Sequence, residues 1–169
     1  KEFEENHFVD HAGCGKTVRL TVAGNIPQST GEETILTDGI KGTIIQASVN
    51  DWYKISENDL IATIDLKESL PVGKISVSFL QNIDARIFMP SQVELSISGN
   101  GSDFKTISTY DNSILLRQEG TFIKDFTSVF DKENTRYVRV RTKNIGVCPS
   151  WHVNSGNSAW MYCDEIQIY

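Results

Sequence analysis

One neighbouring pair of carboxylates could contribute to glycoside chemistry. Asp164 and Glu165 are adjacent in an aromatic-rich segment near the end of the chain. Hydrolysis of a glycosidic bond needs two carboxyl groups that face each other, about 5 to 10 Å apart. Adjacent residues of a β-strand point to opposite faces of the sheet, so we expect this pair not to converge on one bond. The sequence therefore predicts no glycosidase activity in this chain.

A thiol and an imidazole form the second candidate group. Cys148 precedes His152 by four residues, a spacing that could support a nucleophile and its base. Pro149 and the lack of an obvious third, orienting group favour a structural loop. The chain also has no G-x-S-x-G motif. We therefore expect no nucleophilic catalysis.

The three cysteines, Cys14, Cys148 and Cys163, allow at most one disulfide. No paired CxxC spacing supports a structural zinc site. One bridge, which would suggest an oxidising compartment, and buried free thiols are both compatible with the sequence.

Composition limits the classes of partner. The net charge is −6 and the sequence pI is about 5.0, which argues against a nucleic acid. The basic residues of segment 136–143 alternate with apolar ones, as on the solvated face of a strand. No apolar run approaches the roughly 20 residues of a membrane helix. Residues 1–169 fit one domain, which we expect to be monomeric. Residues 1–6 lack the features of a leader, so we also expect the domain to be excised from a longer protein.

Alternation of apolar and polar residues predicts the elements that must position any site. It is strong at 18–22, 75–79, 93–97, 137–142 and 160–169, and weaker at 60–66, 105–110 and 121–130. No segment sustains a helical period. The sequence predicts an all-β, antiparallel sandwich or barrel of about eight strands. Two long connections, 38–59 and 144–159, carry aromatic residues and are where we expect a site.

Short motifs in a fixed order resemble the discoidin, or coagulation factor 5/8 C-type, family, which includes family 32 carbohydrate-binding modules. This resemblance implies an eight-stranded, jelly-roll-like β-sandwich. The motifs lie at 36–39, 52, 64–66, 79–82, 88–90, 93–96, 136–140 and 164–166.

A narrower set of motifs is similar to the domain that follows the catalytic barrel in β-N-acetylhexosaminidases of Bacteroides-type bacteria. These motifs lie at 11–20, 36–42, 144–149, 160 and 164–166. This likeness implies a non-catalytic module of a secreted glycoside hydrolase, located in the periplasm, at the cell surface or outside the cell. Its partner would be a glycan or the catalytic domain of the parent chain.

The resemblance also implies a structural calcium ion. Asp38, Thr43 and Glu165 match by position the residues that brace the first loop of sugar-binding discoidin domains. Ile40 stands where those relatives usually have a second acidic ligand. A plain Asp turn at Asp38 is the alternative.

Sugar recognition needs flat aromatic rings and planar hydrogen-bonding groups, which three loops supply. In the family, these loops gather at one end of the sandwich. Trp52 and Trp160 could instead fill the core, whereas Trp151 and His152 are expected to be exposed and to share one end with Arg86. The predicted sugar-binding residues are Trp52, Tyr53, Asn82, Arg86, Trp151, His152 and Asn154.

Two functions follow from these patterns. The first is non-catalytic carbohydrate binding. The second is a structural spacer that packs on a catalytic domain and binds no sugar. A loop aromatic residue serves both functions equally well, so the sequence does not separate them.

Overall fold

The computed structural model describes residues 8–22, 26–28, 31–44, 51–112 and 117–169. Nearly all regular structure in this part of the chain is antiparallel β-sheet, which confirms the predicted fold class. Two short 3₁₀ helices, Glu32–Thr37 and Ile83–Ala85, accompany the strands. The strands are β1 (Thr17–Val22), β2 (Ile26–Gln28), β3 (Tyr53–Ser56), β4 (Leu60–Asn82), β5 (Gln92–Ser98), β6 (Lys105–Asp111), β7 (Thr121–Lys143) and β8 (Trp160–Ile168).

Strands β4 and β7 are long and run through both layers of the fold. They pair with each other from Leu60 opposite Thr142 to Asn82 opposite Thr121. The first part of β4 also pairs with β1, and its last part pairs with β8. One layer therefore has the order β2-β1-β4-β7-β5-β6. In the other layer, β8 pairs with the last part of β4, and β3 pairs with β8.

The sequence predicted separate strands where β4 and β7 are each continuous. Pro71 and Gly73 resemble strand breakers, yet both lie within β4. The register shifts between Asp65 and Leu70 and again between Val72 and Lys74. Bulges of this kind bend a strand and tolerate proline, so β4 turns from one layer into the other without ending.

The core lies between the two layers and follows the predicted alternation. Leu20 and Leu95 from one layer and Val77 and Phe79 from the other are at most 1% exposed and belong to one apolar cluster. Phe79 also meets Phe126 edge to face, with ring centroids 5.7 Å apart. This burial is the main source of stability in such a sandwich.

A smaller apolar cluster contains Trp52, with Leu80 and Ile87 as its other buried members. A Cβ atom at Gly42 would lie 2.5 Å from the ring of Trp52, so only glycine lets the chain pass this close. Trp52 is therefore a core residue, as the alternative interpretation proposed, and at 2% exposure it has no free face for a sugar.

Strand β8 contains a bulge at its acidic pair. Cys163 lies opposite Phe79 and Ile166 lies opposite Val77, so β8 has one residue more than β4 between these pairs. Regular alternation fails at this point, and both Asp164 and Glu165 are 0% exposed. Their burial leaves the two carboxyl groups without an open cleft.

All three cysteines are free thiols in the structure, so no disulfide joins Cys14, Cys148 and Cys163. No helix in the described segments has the length and hydropathy needed to span a bilayer.

Candidate functional site

Three segments meet at one end of the sandwich, which we call the loop end: residues 82–90, 117–120 and 144–159. Gln81, buried at the end of β4, connects the first two. Its amide nitrogen donates to the carbonyl of Gln118 at 3.2 Å, and its amide oxygen accepts from the backbone of Met89 at 3.2 Å. A fully buried side chain therefore links two segments of the loop end.

Segment 144–159 is an ordered loop. Val147 pairs with Ser158, and the amide of Cys148 donates to the carbonyl of Asn157 at 2.8 Å. Phe88, Cys148 and Ala159 form a small buried cluster under it, against which Trp151 packs. The loop therefore holds its side chains in fixed positions.

Trp151 is half-buried at the surface of the loop end. Its ring meets Phe88 and His152 at centroid distances of 6.4 Å and 5.8 Å. The guanidinium group of Arg117 lies over the ring, 5.0 Å from its centroid. No sequence pattern indicated Arg117, an exposed residue before a Gly-containing turn. Its stack on Trp151 places a cation on the predicted platform.

His152 is 8% exposed, so the prediction that it is solvent-accessible was wrong. Its Nδ1 accepts the backbone N–H of Asn154 at 3.0 Å, which leaves Nε2 to donate to the carbonyl of Ile83 at 2.7 Å. This bond ties the loop to the turn that carries Arg86. His152 therefore lies at the same end as Arg86, as expected, but anchors the loop rather than facing solvent.

Cys148 and His152 do not form a nucleophile and base. Both ring nitrogens of His152 are engaged, and the Cys148 thiol points towards the carbonyl of Ser158 at 3.8 Å. Burial raises the pKa of the Cys148 thiol, which opposes formation of the thiolate. The structure agrees with a structural loop.

The turn after β4 presents Arg86. Its backbone has φ 63° and caps the helix Ile83–Ala85 by donating to the carbonyl of Ile83. The Oδ1 atom of Asn82 accepts from the amide of Ala85 at 3.3 Å, so Asn82 is committed to the same turn. The half-buried guanidinium of Arg86 makes no ion pair with any residue that the structure describes. Arg86 is thus available to a ligand.

The remaining predicted sugar contacts separate into two places. Asn154 is half-buried beside Trp151 at the loop end. Tyr53 is 6% exposed and lies opposite Cys163 in the pairing of β3 with β8. Tyr53, like Trp52, is buried and cannot be an open platform, because both lie where a strand begins rather than on a loop.

A second group of polar residues lies where residues 8–16 and 38–44 pack on β8. Glu165 is 0% exposed, and its Oε1 atom is 2.6 Å from Nε2 of His11. Its Oε2 atom has no hydrogen-bond partner among the described residues. Asp38 lies close enough to Glu165 for the two carboxyl groups to interact. Desolvation, with the Glu165 carboxyl adding to it, raises the pKa of Asp38 to about 6.

Asp164 holds the loop that follows Asp38. Its Oδ2 atom accepts the backbone N–H of Gly42 at 2.5 Å, while its Oδ1 atom is buried without a partner in the described residues. Burial raises the pKa of Asp164 to about 7, with Glu165 and Asp38 contributing in the same direction. The bulge in β8 thus holds two buried acidic residues, Asp164 and Glu165, near the carboxyl group of Asp38.

The residues around Glu165 do not fit calcium. Calcium takes six to eight oxygen ligands, including carboxylates and carbonyls. An imidazole already occupies Oε1 of Glu165, the Cys14 sulfur lies within 4.8 Å of these atoms, and Oδ1 of Asp38 accepts the amide of Ile40 at 2.8 Å. Thr43, the third residue of the predicted calcium site, is half-buried one residue after Gly42.

No family model matches the chain, and no curated protein matches it in sequence. Solved structures do match it. The family 32 carbohydrate-binding module of Streptococcus pneumoniae EndoD superposes with a TM-score of 0.61 at 12% identity, over 95% of this chain and 99% of that one. The fold is that of a family 32 carbohydrate-binding module.

Two further structures share this family 32 fold. One is the chitosan-binding module 1 of a chitosanase/glucanase from Paenibacillus sp. IK-5, with a TM-score of 0.56 and 16% identity over 95% of this chain and 99% of that one. The other is a fucose binding module of Streptococcus pneumoniae, with a TM-score of 0.53 and 14% identity over 98% of this chain and 97% of that one. Both cover almost the entire chain, so the likeness concerns the complete domain.

Proposed function

We propose that this chain is a non-catalytic carbohydrate-binding module that keeps a secreted glycoside hydrolase near its glycan, with the loop end as the binding surface. The observation that carries the proposal is the stack of Arg117 on Trp151, which packs against the buried Phe88 at the end of the sandwich that also carries Arg86. The structural neighbours of this fold are themselves described as carbohydrate-binding modules, which supports the same function.

The chemistry of the loop end suits a pyranose. An indole ring packs against the apolar C–H face of a sugar, and the planar guanidinium groups of Arg86 and Arg117 can donate paired hydrogen bonds to ring hydroxyls. Asn154 adds a donor and an acceptor next to the ring. Because Arg117 covers one face of Trp151 in this structure, a sugar on that face must displace the guanidinium or lie at its edge.

The test is glycan-array binding of the isolated domain, followed by calorimetry on the best ligand with Trp151→Ala. Loss of a stacking platform worth about 1 kcal/mol or more predicts at least about a five-fold loss of affinity. Tyr137→Ala is a matched control, because Tyr137 is also half-buried and carries the Arg136 guanidinium at 5.1 Å. It lies opposite Ser98, at the other end of β5 from the loop end.

The expected result is weaker binding by Trp151→Ala and unchanged binding by Tyr137→Ala, with both variants folded. Equal losses in the two variants, or binding untouched by Trp151→Ala, would contradict the loop end as the sugar site. Absence of any glycan ligand for the wild-type domain would contradict the function itself.

The spacer function has its own supporting observation. Phe8, Ile40 and Ile44 are 60%, 41% and 48% exposed, and Phe8 forms a β-bridge with Ile40. Exposed apolar residues that cluster in this way suit an interface with another domain. A parent chain with a β-N-acetylhexosaminidase barrel would supply that domain, and Phe8→Ser with Ile44→Ser should then loosen the two domains without changing glycan binding.

A further inference from the structure

His11 has both ring nitrogens in defined hydrogen bonds. Its Nδ1 accepts the backbone N–H groups of Gly13 at 3.0 Å and Ile168 at 3.3 Å. A backbone N–H can only donate, so Nδ1 carries the lone pair and Nε2 carries the proton. Nε2–H therefore donates to Oε1 of Glu165 at 2.6 Å, between side chains that are both 0% exposed. We call this contact the His11 clasp.

The clasp excludes a metal ion from this nitrogen by ordinary ligand chemistry. A histidine that binds a metal through one ring nitrogen donates a hydrogen bond from the other. In His11 the other nitrogen faces two N–H donors, so a metal at Nε2 would leave the ring without any proton. The nearness of the Cys14 sulfur to His11 and Glu165 therefore does not make a metal centre.

The His11 clasp also lies where residues 8–16 are joined to the rest of the fold. The amide of Ala12 donates to the carbonyl of Ile168 at 2.8 Å, and the amide of Val9 donates to the carbonyl of Gly39 at 2.7 Å. Residues 8–16 are thus fixed both to β8 and to the loop after Asp38. These are the segments that the expected calcium ion would have joined through Asp38 and Glu165.

We propose that His11 takes the place of a metal ion in this domain, so that a neutral imidazole braces Glu165 and makes the fold independent of calcium. The remaining acceptors are consistent with this exchange. Oε2 of Glu165 and Oδ1 of Asp164 are buried and have no partner among the described residues. Once the imidazole is removed, the carboxyl group of Glu165, with that of Asp38 beside it, is what a cation would meet.

The first test measures thermal unfolding of the wild type and of His11→Ala with excess calcium chloride and with a chelator. The wild-type melting temperature should not change between the two conditions. His11→Ala should melt at a lower temperature, and calcium should recover part of that loss. A chelator-sensitive wild type, or a His11→Ala variant that responds to calcium no more than the wild type does, overturns the proposal.

Two further measurements keep the proposal testable if His11→Ala does not fold. Glu165→Gln retains an acceptor for Nε2–H and should fold without a calcium response. Long-range proton–nitrogen correlation spectra of the wild type should show His11 as the Nε2–H tautomer, unchanged by added calcium or zinc. His152 is the internal control, since its contacts fix the same tautomer. A shift of the His11 signals alone on adding either metal overturns the proposal.

Discussion

The two ends of this domain are each fastened by a buried histidine in the same local arrangement. In both, Nδ1 accepts a backbone N–H from two residues later, at Gly13 for His11 and at Asn154 for His152. In both, Nε2 reaches an acceptor far away in sequence, at 2.6 Å and 2.7 Å. The acceptors differ: His11 meets the carboxylate of Glu165, whereas His152 meets the carbonyl of Ile83.

This difference teaches that one local motif can serve two purposes, depending on the charge of its distant partner. Around Glu165, Asp164 is also buried and the carboxyl group of Asp38 lies nearby, so the imidazole N–H supplies a hydrogen bond that the buried carboxyl group of Glu165 cannot obtain from water. Around Ile83, the neighbours are the aromatic rings of Phe88 and Trp151, so the imidazole positions a surface. We therefore expect changes at the first end to affect stability and changes at the second to affect the proposed binding surface.

The largest expected effect comes from removing His11, the histidine whose distant partner is the carboxyl group of Glu165. His11→Ala leaves the buried Glu165 carboxyl group without its donor, which should lower the free energy of unfolding by about 3 kcal/mol. Urea unfolding at neutral pH measures this loss. A loss no greater than that of His152→Ala would remove the distinction between the two ends.

The acidic end should also make stability depend on pH. The folded-state pKa is about 7 for Asp164 and about 6 for Asp38, against an ordinary value of 3.8 for both. Between about pH 4 and pH 7 the folded state therefore binds more protons than the unfolded state, so these groups make the free energy of unfolding fall as pH rises. Asp65, whose pKa the Arg136 guanidinium lowers to about 2, has the opposite effect, but only below about pH 4.

Urea unfolding at pH 5 and pH 8 should show this decline, and Asp164→Asn should reduce it while raising stability at pH 8. Asp131→Asn, on an exposed position of β7, is the control that should keep the wild-type decline. An Asp164→Asn variant whose stability changes between pH 5 and pH 8 just as that of the wild type does would be inconsistent with the raised pKa of Asp164.

At the loop end we expect a smaller effect on stability, together with an effect on binding. His152→Ala leaves the carbonyl of Ile83 without its donor, which should cost about 1 to 3 kcal/mol of unfolding free energy. Trp151 should lose its position, so glycan affinity should fall as well. Calorimetry and urea unfolding of the same preparation measure both, and intact affinity in a destabilised variant would show that the loop end does not need this anchor.

The smallest effect should come from the two arginine stacks. Arg117→Ala removes a cation over Trp151, which is worth about 0.5 to 1 kcal/mol at an exposed site, and should change glycan affinity with little change in stability. Arg136→Ala breaks a two-bond ion pair with Asp65, at 2.9 Å and 3.1 Å, and should change stability alone. An affinity change in Arg136→Ala matching that of Arg117→Ala would sink the assignment of binding to the loop end.

The sequence predicted the parts of the fold that local alternation determines. Val93, Leu95 and Ile97 alternate with polar residues, and all three are at most 4% exposed in β5. The continuity of β4 through Pro71 was not predictable, since the pairing of distant strands, and not local propensity, keeps it extended there. Short β2 and β3 have too few residues to show a period.

The candidate sites depended on contacts that no short spacing shows. His11 and Glu165 are 154 positions apart, and the bulge that turns Glu165 inward comes from a register shift against β4. Gly13 lies so close to His11 that a Cβ atom would be 3.0 Å from the imidazole ring, but the structure is needed to see this contact. The buried position of Tyr53 in β3 was not predictable, because an aromatic residue at the start of a strand resembles one on a loop until its partner, Cys163, is known.

The His11 clasp also determines how the domain carries mechanical load. Residues 8–16 and β8 lie side by side, joined by the clasp and by the bond from Ala12 to Ile168. Tension that enters along the first of these segments and leaves along the second acts on this seam before it reaches the paired strands β4 and β7. We expect the seam to open before β4 separates from β7.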